Sequence, residues 1–151
     1  MPSASMTTPV GGFGLIECGG AIVEAYWCDR EKAPATPLLT SAMEQLKAYF
    51  DGSLRQFDLP LAPGGGPFQQ AVCTALLAIP YGRTGTYGGI ARDLGSYGQA
   101  VGAACGKNPI PILIPCHRVL SARGLGGFSA RGGIETKIAL LRHEGVYPFL
   151  L

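Results

Sequence analysis

The chain lacks several features that define common protein classes. It has 151 residues, and no apolar run approaches the roughly 20 residues that a membrane-spanning helix needs. Only 15% of its residues are charged while 47% are hydrophobic, which excludes a disordered tail because there is enough apolar mass for a core. Residues 1–9 lack the basic and apolar regions of a secretory signal. We therefore expect a cytoplasmic protein of one or two small domains, without a membrane partner.

Metal-site and disulfide patterns are also missing. The cysteine count is odd, no CxxC pair occurs, and the only two histidines, His117 and His143, stand at no metal-ligand spacing from the cysteines. We therefore expect no metal and no disulfide scaffold, and we expect most of the thiols to be free and buried. The five cysteines are at positions 18, 28, 73, 105 and 116.

Charge is distributed unevenly along the chain. Residues 1–60 carry four Lys/Arg against seven Asp/Glu, whereas residues 61–131 carry six Lys/Arg against one acid, Asp93. A basic segment of this kind indicates a polyanionic partner such as nucleic acid. Many neutral proteins have such a face, so charge alone does not decide the function.

The clearest break in the chain is the run Leu-Ala-Pro-Gly-Gly-Gly-Pro at residues 61–67. Glycines flanked by prolines continue neither a helix nor a central strand. We predict a small domain over residues 1–61, a linker over 62–67 and a second domain over 68–151. In the first domain, residues 14–18 and 21–27 predict two strands joined by a two-residue glycine turn. Residues 37–50 predict a helix with proline in its first turn.

The second domain reads as a series of short helices, over residues 67–79, 87–94 and 99–106, with a last helix over 134–143. Thr86 is the predicted cap of the helix over 87–94, and Gly95 is its predicted end. Two of these helices, joined by a turn containing glycine, predict a helix-turn-helix. The helix over 99–106 is built of small residues, which suits either tight packing in a core or close approach to the minor groove of DNA. Residues 109–115 predict a buried, strand-like run. The expected fold class is α/β (α+β): a small strand-rich N-terminal domain and a helical C-terminal domain with a winged-helix-like helix-turn-helix.

Cys116 and His117 follow that run directly and form a candidate activated nucleophile. The thiolate is the reactive form of cysteine, and a nearby base or positive charge is needed to populate it at neutral pH. Adjacent side chains of an extended chain point in opposite directions, so contact between the two requires a turn or a bridging water. On the pair alone, a Cys/His hydrolase unrelated to DNA remains an alternative.

The sequence Asn-Pro-Ile-Pro-Ile-Leu-Ile-Pro-Cys-His-Arg-Val at residues 108–119 resembles the active-site signature of the O6-alkylguanine-DNA alkyltransferases, also called methylated-DNA–protein-cysteine methyltransferases. The resemblance covers residues 67–145, and the first domain carries little motif content. Further matching motifs are Phe68-Gln69, Ile79-Pro80-Tyr81-Gly82, Thr86-Tyr87, Ala100-Val101-Gly102, Gly127-Phe128-Ser129 and Leu140-Leu141-Arg142-His143-Glu144-Gly145.

The resemblance implies a single-turnover reaction without metal or cofactor. Cys116 attacks the alkyl carbon on O6 of a guanine in double-stranded DNA, leaving S-alkylcysteine and restored guanine. O4-alkylthymine stays open as a second substrate. The protein is expected to act as a monomer, to enter the minor groove with its helix-turn-helix and to flip the damaged base out of the duplex.

The resemblance also assigns roles to individual residues. Glu144 orients His117, which draws the proton from Cys116 through a water, while Asn108 braces the nucleophile segment and the Tyr87 hydroxyl donates to the leaving guanine. The residues expected to bind the substrate are Pro111, Val119, Phe128, Ser129 and Lys137. The residues expected to contact DNA are Thr86, Tyr87, Gln99, Ala100, Gly102, Ala103, Lys107 and Arg118.

The chain departs from the family pattern beside the Ala-Val-Gly motif. The family has an arginine that fills the space of the flipped nucleotide, where this chain has Gln99. The preceding turn, residues 95–98, is about two residues short, and its Tyr97 is a candidate stacking wedge. We therefore expect slower or weaker repair of duplex DNA, or a different adduct preference. The alternative is a lesion sensor that binds without transfer, against which Cys116 argues.

Overall fold

The computed structural model describes residues 1–128 and 131–146. The chain divides into two compact units, Met1–Pro63 and Gly64–Leu151. The domain limits and the linker inferred from the sequence stay a prediction. Among the described residues, no helix has the length and apolar character needed to cross a membrane.

The first unit contains a three-stranded antiparallel sheet in the order β1 (Ser3–Thr8), β2 (Gly11–Cys18) and β3 (Ala21–Trp27). Cys18 pairs with Ala21, so the glycines at 19 and 20 form the predicted two-residue turn. Both have positive φ, 61° and 80°, which suits the right-handed twist of a hairpin. The sequence analysis missed β1, because its Ser/Thr-rich composition obscures the alternation of a strand.

The helix α1 (Pro37–Asp51) packs against β1 and β2, which confirms the helix predicted over residues 37–50. The Thr36 hydroxyl accepts a hydrogen bond from the Leu39 backbone N–H at 3.1 Å, and Gly52 ends the helix in the left-handed conformation. The buried face repeats at helical spacing and forms the core under the sheet. It consists of Leu39, Ala42, Leu46 and Tyr49.

The second unit begins with three helices: α2 (Pro67–Leu77), α3 (Tyr87–Leu94) and α4 (Gly98–Gly106). They pack against one another. The predicted cap of α3 is confirmed, since the Thr86 hydroxyl accepts from the Gly89 N–H at 2.9 Å and Gly95 is left-handed. Helix α2 ends two residues before its predicted end at Ile79.

The rest of the unit frames the Cys116-His117 segment. Residues Cys116–Arg118 form one turn of 3-10 helix, followed by β5 (Val119–Leu120), which pairs in parallel with β4 (Gly85–Thr86). The last helix, α5 (Gly133–His143), packs against the 3-10 turn. The predicted fold class is confirmed: a strand-rich N-terminal part precedes a helical C-terminal part.

The prediction of a strand-like conformation for residues 109–115 is wrong. The segment is buried but folds into a tight turn, in which the Ile114 N–H donates to the Ile110 carbonyl at 2.9 Å. Ile112 has φ 72°, which only a turn accommodates. The physical reason is the three prolines in seven residues, which have no N–H for a strand ladder.

Candidate active site

Asn108 fixes the backbone that carries the candidate nucleophile. Its side-chain amide donates to the Ile114 carbonyl at 2.9 Å and accepts from the Ile110 N–H at 3.0 Å, which closes the tight turn. The Cys116 N–H donates to the same Ile114 carbonyl at 2.8 Å. The Asn108 side chain also lowers the pKa of the Cys116 thiol, against the effect of burial. The expected bracing position of Asn108 therefore agrees with its contacts.

His117 and Glu144 meet in the interior of the unit. The His117 Nε2 lies 2.9 Å from Glu144 Oε2, and both side chains are fully buried. Because α5 packs against the 3-10 turn, Glu144 at the C-terminal end of α5 reaches the ring of His117. The sequence predicted this pairing, and the structure brings the two side chains together.

Arg118 binds the Glu144 carboxylate that also contacts His117, whereas the sequence predicted that Arg118 contacts DNA. Its Nε donates to Glu144 Oε1 at 2.8 Å, its Nη2 to Oε2 at 3.0 Å, and its Nη1 to the Ile79 carbonyl at 2.7 Å. The residue is only 7% exposed. Its guanidinium is occupied inside the protein, where the bidentate contact keeps Glu144 ionised. The DNA-binding assignment of Arg118 is therefore corrected to a structural one.

The network determines which nitrogen of His117 is free to take a proton. Nε2 faces a carboxylate that only accepts, so Nε2 carries the ring hydrogen and Nδ1 has the lone pair. Nδ1 is buried and has no hydrogen-bond partner among the described residues. Burial lowers the pKa of His117, and Glu144 opposes that shift. The ring is therefore a neutral base with an accepting nitrogen.

Cys116 is a protonated thiol at rest. Burial raises the pKa of its thiol, while the hydrogen bond from Asn108 and the charge of Lys137 oppose that rise. The residue is 7% exposed. The sequence alone left open how the thiolate is populated, and these contacts show which groups stabilise it.

Lys137 is fully buried, and its ammonium fastens the loop beyond the nucleophile. It donates to the carbonyls of Val119 at 2.6 Å, Gly127 at 3.1 Å and Leu125. Burial lowers its pKa to about 8, and the thiols of the site oppose that shift. Its three hydrogens are used by the backbone, so the expected substrate contact is corrected to a positioning role.

A cavity of about 280 Å³ lies beside Cys116, near the roughly 300 Å³ at which ligand-binding cavities begin. Two of its glycines, Gly102 and Gly127, have open space where a Cβ would stand, so this wall is flat backbone. The cavity is lined by Tyr87, Gly102, Cys105, Gly106, Cys116, Gly127 and Phe128.

Tyr87, in the first turn of α3, lines the cavity. Burial, followed by the two thiols of the site, raises its pKa to about 12, so at neutral pH the hydroxyl is a donor. A Cβ on Gly126 would lie 2.9 Å from the Tyr87 ring, and Gly126 has φ 73°. The loop and the ring approach this closely only because residue 126 is glycine.

The predicted substrate-binding residues lie in different parts of the site. Phe128 lines the cavity. Val119 is fully buried and presents its carbonyl to Lys137, while Pro111 belongs to the tight turn; neither is among the described lining residues. Ser129 lies outside the described residues.

Sequence reasoning missed that Cys105 and Gly106 line the cavity, and it assigned Gly102 to DNA contact only. Residues 102, 105 and 106 stand at i, i+3 and i+4 on α4, so they share one helix face. That spacing was visible in the sequence, but nothing there showed that the face turns toward Cys116. Among the described residues, no three His, Cys, Asp or Glu side chains converge on a possible metal site.

Several of the residues expected to contact DNA lie along an outer surface of the helix-turn-helix, whereas Tyr87 and Gly102 line the cavity and Arg118 is buried. Gln99, Ala103 and Lys107 are exposed and Ala100 is partly so, while Val101 and Ala104 on the opposite face of α4 are buried. The packing alternative for this helix is thus correct for its inner face. Thr86 is exposed, and its hydroxyl is occupied in capping α3.

Two family comparisons cover nearly the whole chain. Residues 67–146 match the family described as 6-O-methylguanine DNA methyltransferase, DNA binding domain. Residues 2–63 match the same enzyme's ribonuclease-like domain.

Individual relatives agree with these matches. The methylated-DNA–protein-cysteine methyltransferase of Mycobacterium bovis is 42% identical over 150 residues, which is 93% of this chain and 90% of the relative. The crystal structure of Mycobacterium tuberculosis O6-methylguanine methyltransferase superposes with a TM-score of 0.83 at 38% identity, covering 98% of this chain and 96% of that one. The M. tuberculosis protein solved in complex with DNA gives a TM-score of 0.83 at 39% identity, covering 95% and 92% of the two chains. This chain therefore belongs to the methylated-DNA–protein-cysteine methyltransferases, the 6-O-methylguanine DNA methyltransferase family.

Proposed function

We propose that this chain repairs double-stranded DNA by moving the alkyl group of an O6-alkylguanine onto the sulfur of Cys116, once per protein molecule. The observation that carries the proposal is the cavity that Cys116 and Tyr87 line together. It places a nucleophile and a donor around one space, and the residue after the nucleophile is a buried base held by a carboxylate.

The first step is loss of the Cys116 proton. His117 accepts it at Nδ1 through a bridging water, and the imidazolium that forms is stabilised by Glu144 at 2.9 Å. Arg118 keeps Glu144 ionised. Asn108 and Lys137 stabilise the thiolate that remains. General-base assistance of this kind contributes about 10²- to 10⁴-fold to a rate.

The second step is an in-line displacement at the alkyl carbon. The sulfur–carbon bond forms as the carbon–O6 bond breaks, and the electron pair of that bond moves onto the guanine. The Tyr87 hydroxyl donates a hydrogen bond or proton to the departing base. The product is a thioether, which neither His117 nor water cleaves, so the protein is consumed in the reaction.

The DNA lies against the outer face of α4. A helix of alanine and glycine brings its backbone close to the floor of the minor groove. The target base leaves the duplex to reach the cavity, at a cost of a few kcal/mol. Binding rests on contacts to phosphates from exposed groups such as Lys107, so it falls with salt and tolerates different sequences.

A titration with a duplex carrying one O6-methylguanine tests this function. The amount of restored guanine should rise in proportion to the duplex added and stop at one equivalent per protein chain. Continued turnover beyond one equivalent identifies a hydrolase. Tight binding without any restored guanine identifies a lesion sensor. Either result contradicts the proposal.

Gln99 should limit the rate on duplex DNA. Its amide lacks the charge and flat stacking surface of the guanidinium that the family places there. We expect Gln99→Arg to speed transfer from duplex DNA by about tenfold, the equivalent of about 1.4 kcal/mol of stabilisation of the flipped state. Transfer from a single-stranded oligonucleotide, which needs no flipping, is the matched control and should not change. Equal duplex rates for the two proteins would contradict this role for residue 99.

A further inference from the structure

Cys105 is a second thiol that lines the cavity beside Cys116, and it has no role in the proposed transfer reaction. Both Cys105 and Cys116 line the cavity, and they are 9% and 7% exposed, so each presents a small surface to it. Two cysteines that line one small cavity can react with each other as well as with a substrate.

A short chain of contacts joins the two cysteines. The Asn108 backbone N–H donates to the Cys105 carbonyl at 3.2 Å. The side-chain amide of the same Asn108 donates to the Ile114 carbonyl at 2.9 Å, and the Cys116 N–H donates to that carbonyl at 2.8 Å. Cys105 is the second-last residue of α4 and Cys116 is the first residue of the 3-10 turn, so Asn108 binds both segments at the points where the cysteines lie.

The two thiols have unequal surroundings. Burial, and then the neighbouring Cys116, raises the pKa of Cys105 to about 12. Lys137 stabilises the charged form of both thiols, and Cys116 has in addition the hydrogen bond from Asn108. Cys116 also precedes His117, the neutral base of the site, so we assign Cys116 as the attacking sulfur and Cys105 as the thiol that follows it.

We propose that Cys105 is the resolving partner of Cys116, and that peroxide converts the two into an intramolecular disulfide that blocks alkyl acceptance until a dithiol reduces it. The proposal rests on the proposed role of Cys116 as alkyl acceptor. It gives the cavity a second, reversible state besides the irreversible alkylated one.

The chemistry balances with peroxide as the oxidant. The Cys116 thiolate attacks one peroxide oxygen and the O–O bond breaks, which gives Cys116 sulfenic acid and hydroxide. The hydroxide takes back the proton that Cys116 gave to His117 and leaves as the first water. The Cys105 sulfur then attacks the Cys116 sulfur, its proton passes to the departing oxygen, and a second water leaves. Two thiols are oxidised and one peroxide is reduced to two waters.

The test treats the full chain with hydrogen peroxide and then with dithiothreitol. We expect a linked Cys105–Cys116 peptide after the first step and loss of two hydrogens from the intact mass. Transfer activity should fall by about tenfold or more and return after the second step. In Cys105→Ala, oxidation of Cys116 continues to the sulfinic acid, so dithiothreitol should restore nothing. Each protein is compared with its own untreated rate.

Cys73→Ala is the matched control, since Cys73 is a buried thiol that does not line the cavity in the described part of the chain. It should lose and regain activity as the unchanged protein does. The proposal is overturned if no Cys105–Cys116 peptide forms, if Cys105 links to Cys73 instead, or if Cys105→Ala recovers fully. The linked peptide is detected whether or not untreated protein transfers alkyl groups, so failure of the proposed function is distinguished from failure of this inference.

Discussion

Replacing Cys116 with alanine should abolish alkyl transfer and leave lesion binding intact. The other thiol lining the cavity, Cys105, has its pKa raised first by burial and only then by Cys116, so the effect of burial remains in Cys116→Ala. Cys105 therefore stays protonated at neutral pH, and a substitute reaction through its sulfur is slow. The measurement is restored guanine per chain in a single-turnover assay, with binding followed separately on the same duplex.

The matched control for Cys116→Ala is Cys73→Ala, which removes a buried sulfur of α2. It should react at the unchanged rate once its folding has been verified by thermal unfolding. Transfer by Cys116→Ala at more than about a hundredth of the original rate would mean that another nucleophile carries the reaction.

Glu144→Gln should lower both transfer and stability. The glutamine keeps the volume but leaves the buried Arg118 guanidinium without its carboxylate, and breaking such a buried contact costs about 3–5 kcal/mol. His117 loses the group that stabilises its imidazolium, so we expect transfer to slow by about 10²- to 10⁴-fold. Rates are measured at a temperature where circular dichroism shows the variant folded.

The pH profile separates a role in proton transfer from a purely structural one. Glu144 raises the pKa of His117 against the effect of burial. Its loss lowers that pKa, so His117 stays neutral to lower pH and the acid limb of the transfer rate should move down in pH. A structural role alone would reduce the active fraction without moving the limb. Glu135→Gln, which alters an exposed acid on the same helix, is the control and should change neither quantity.

Local sequence signals predicted the elements that local physics determines. The capping threonine at 86, the closing glycine at 95 and the glycine hairpin lie where expected, because each is decided by a few adjacent residues. The strand β1 and the turn at residues 109–115 were not predicted. The pairing of β1 with β2 and the positive φ of Ile112 depend on tertiary contacts that composition does not reveal.

The candidate site shows the same division. The resemblance named Cys116, His117, Glu144, Asn108 and Tyr87. In the structure His117 contacts Glu144, and both Cys116 and Tyr87 line the cavity. Arg118 and Lys137 read from the sequence as surface or substrate-binding cations. Only the fold shows that they are buried, where they hold a carboxylate and three carbonyls. Burial of a charge is a tertiary property, and a lone basic residue in a sequence gives no sign of it.

The central claim is that Cys116 is the residue that accepts the alkyl group, and peptide mapping after the reaction tests it most directly. The protein is mixed with an excess of duplex carrying one O6-methylguanine, digested and analysed by mass spectrometry. The account predicts one added methyl per chain, found on the peptide that contains Cys116 and on none that contains Cys18, Cys28, Cys73 or Cys105. Restored guanine with an unmodified Cys116, or a methyl on any other cysteine, would contradict it.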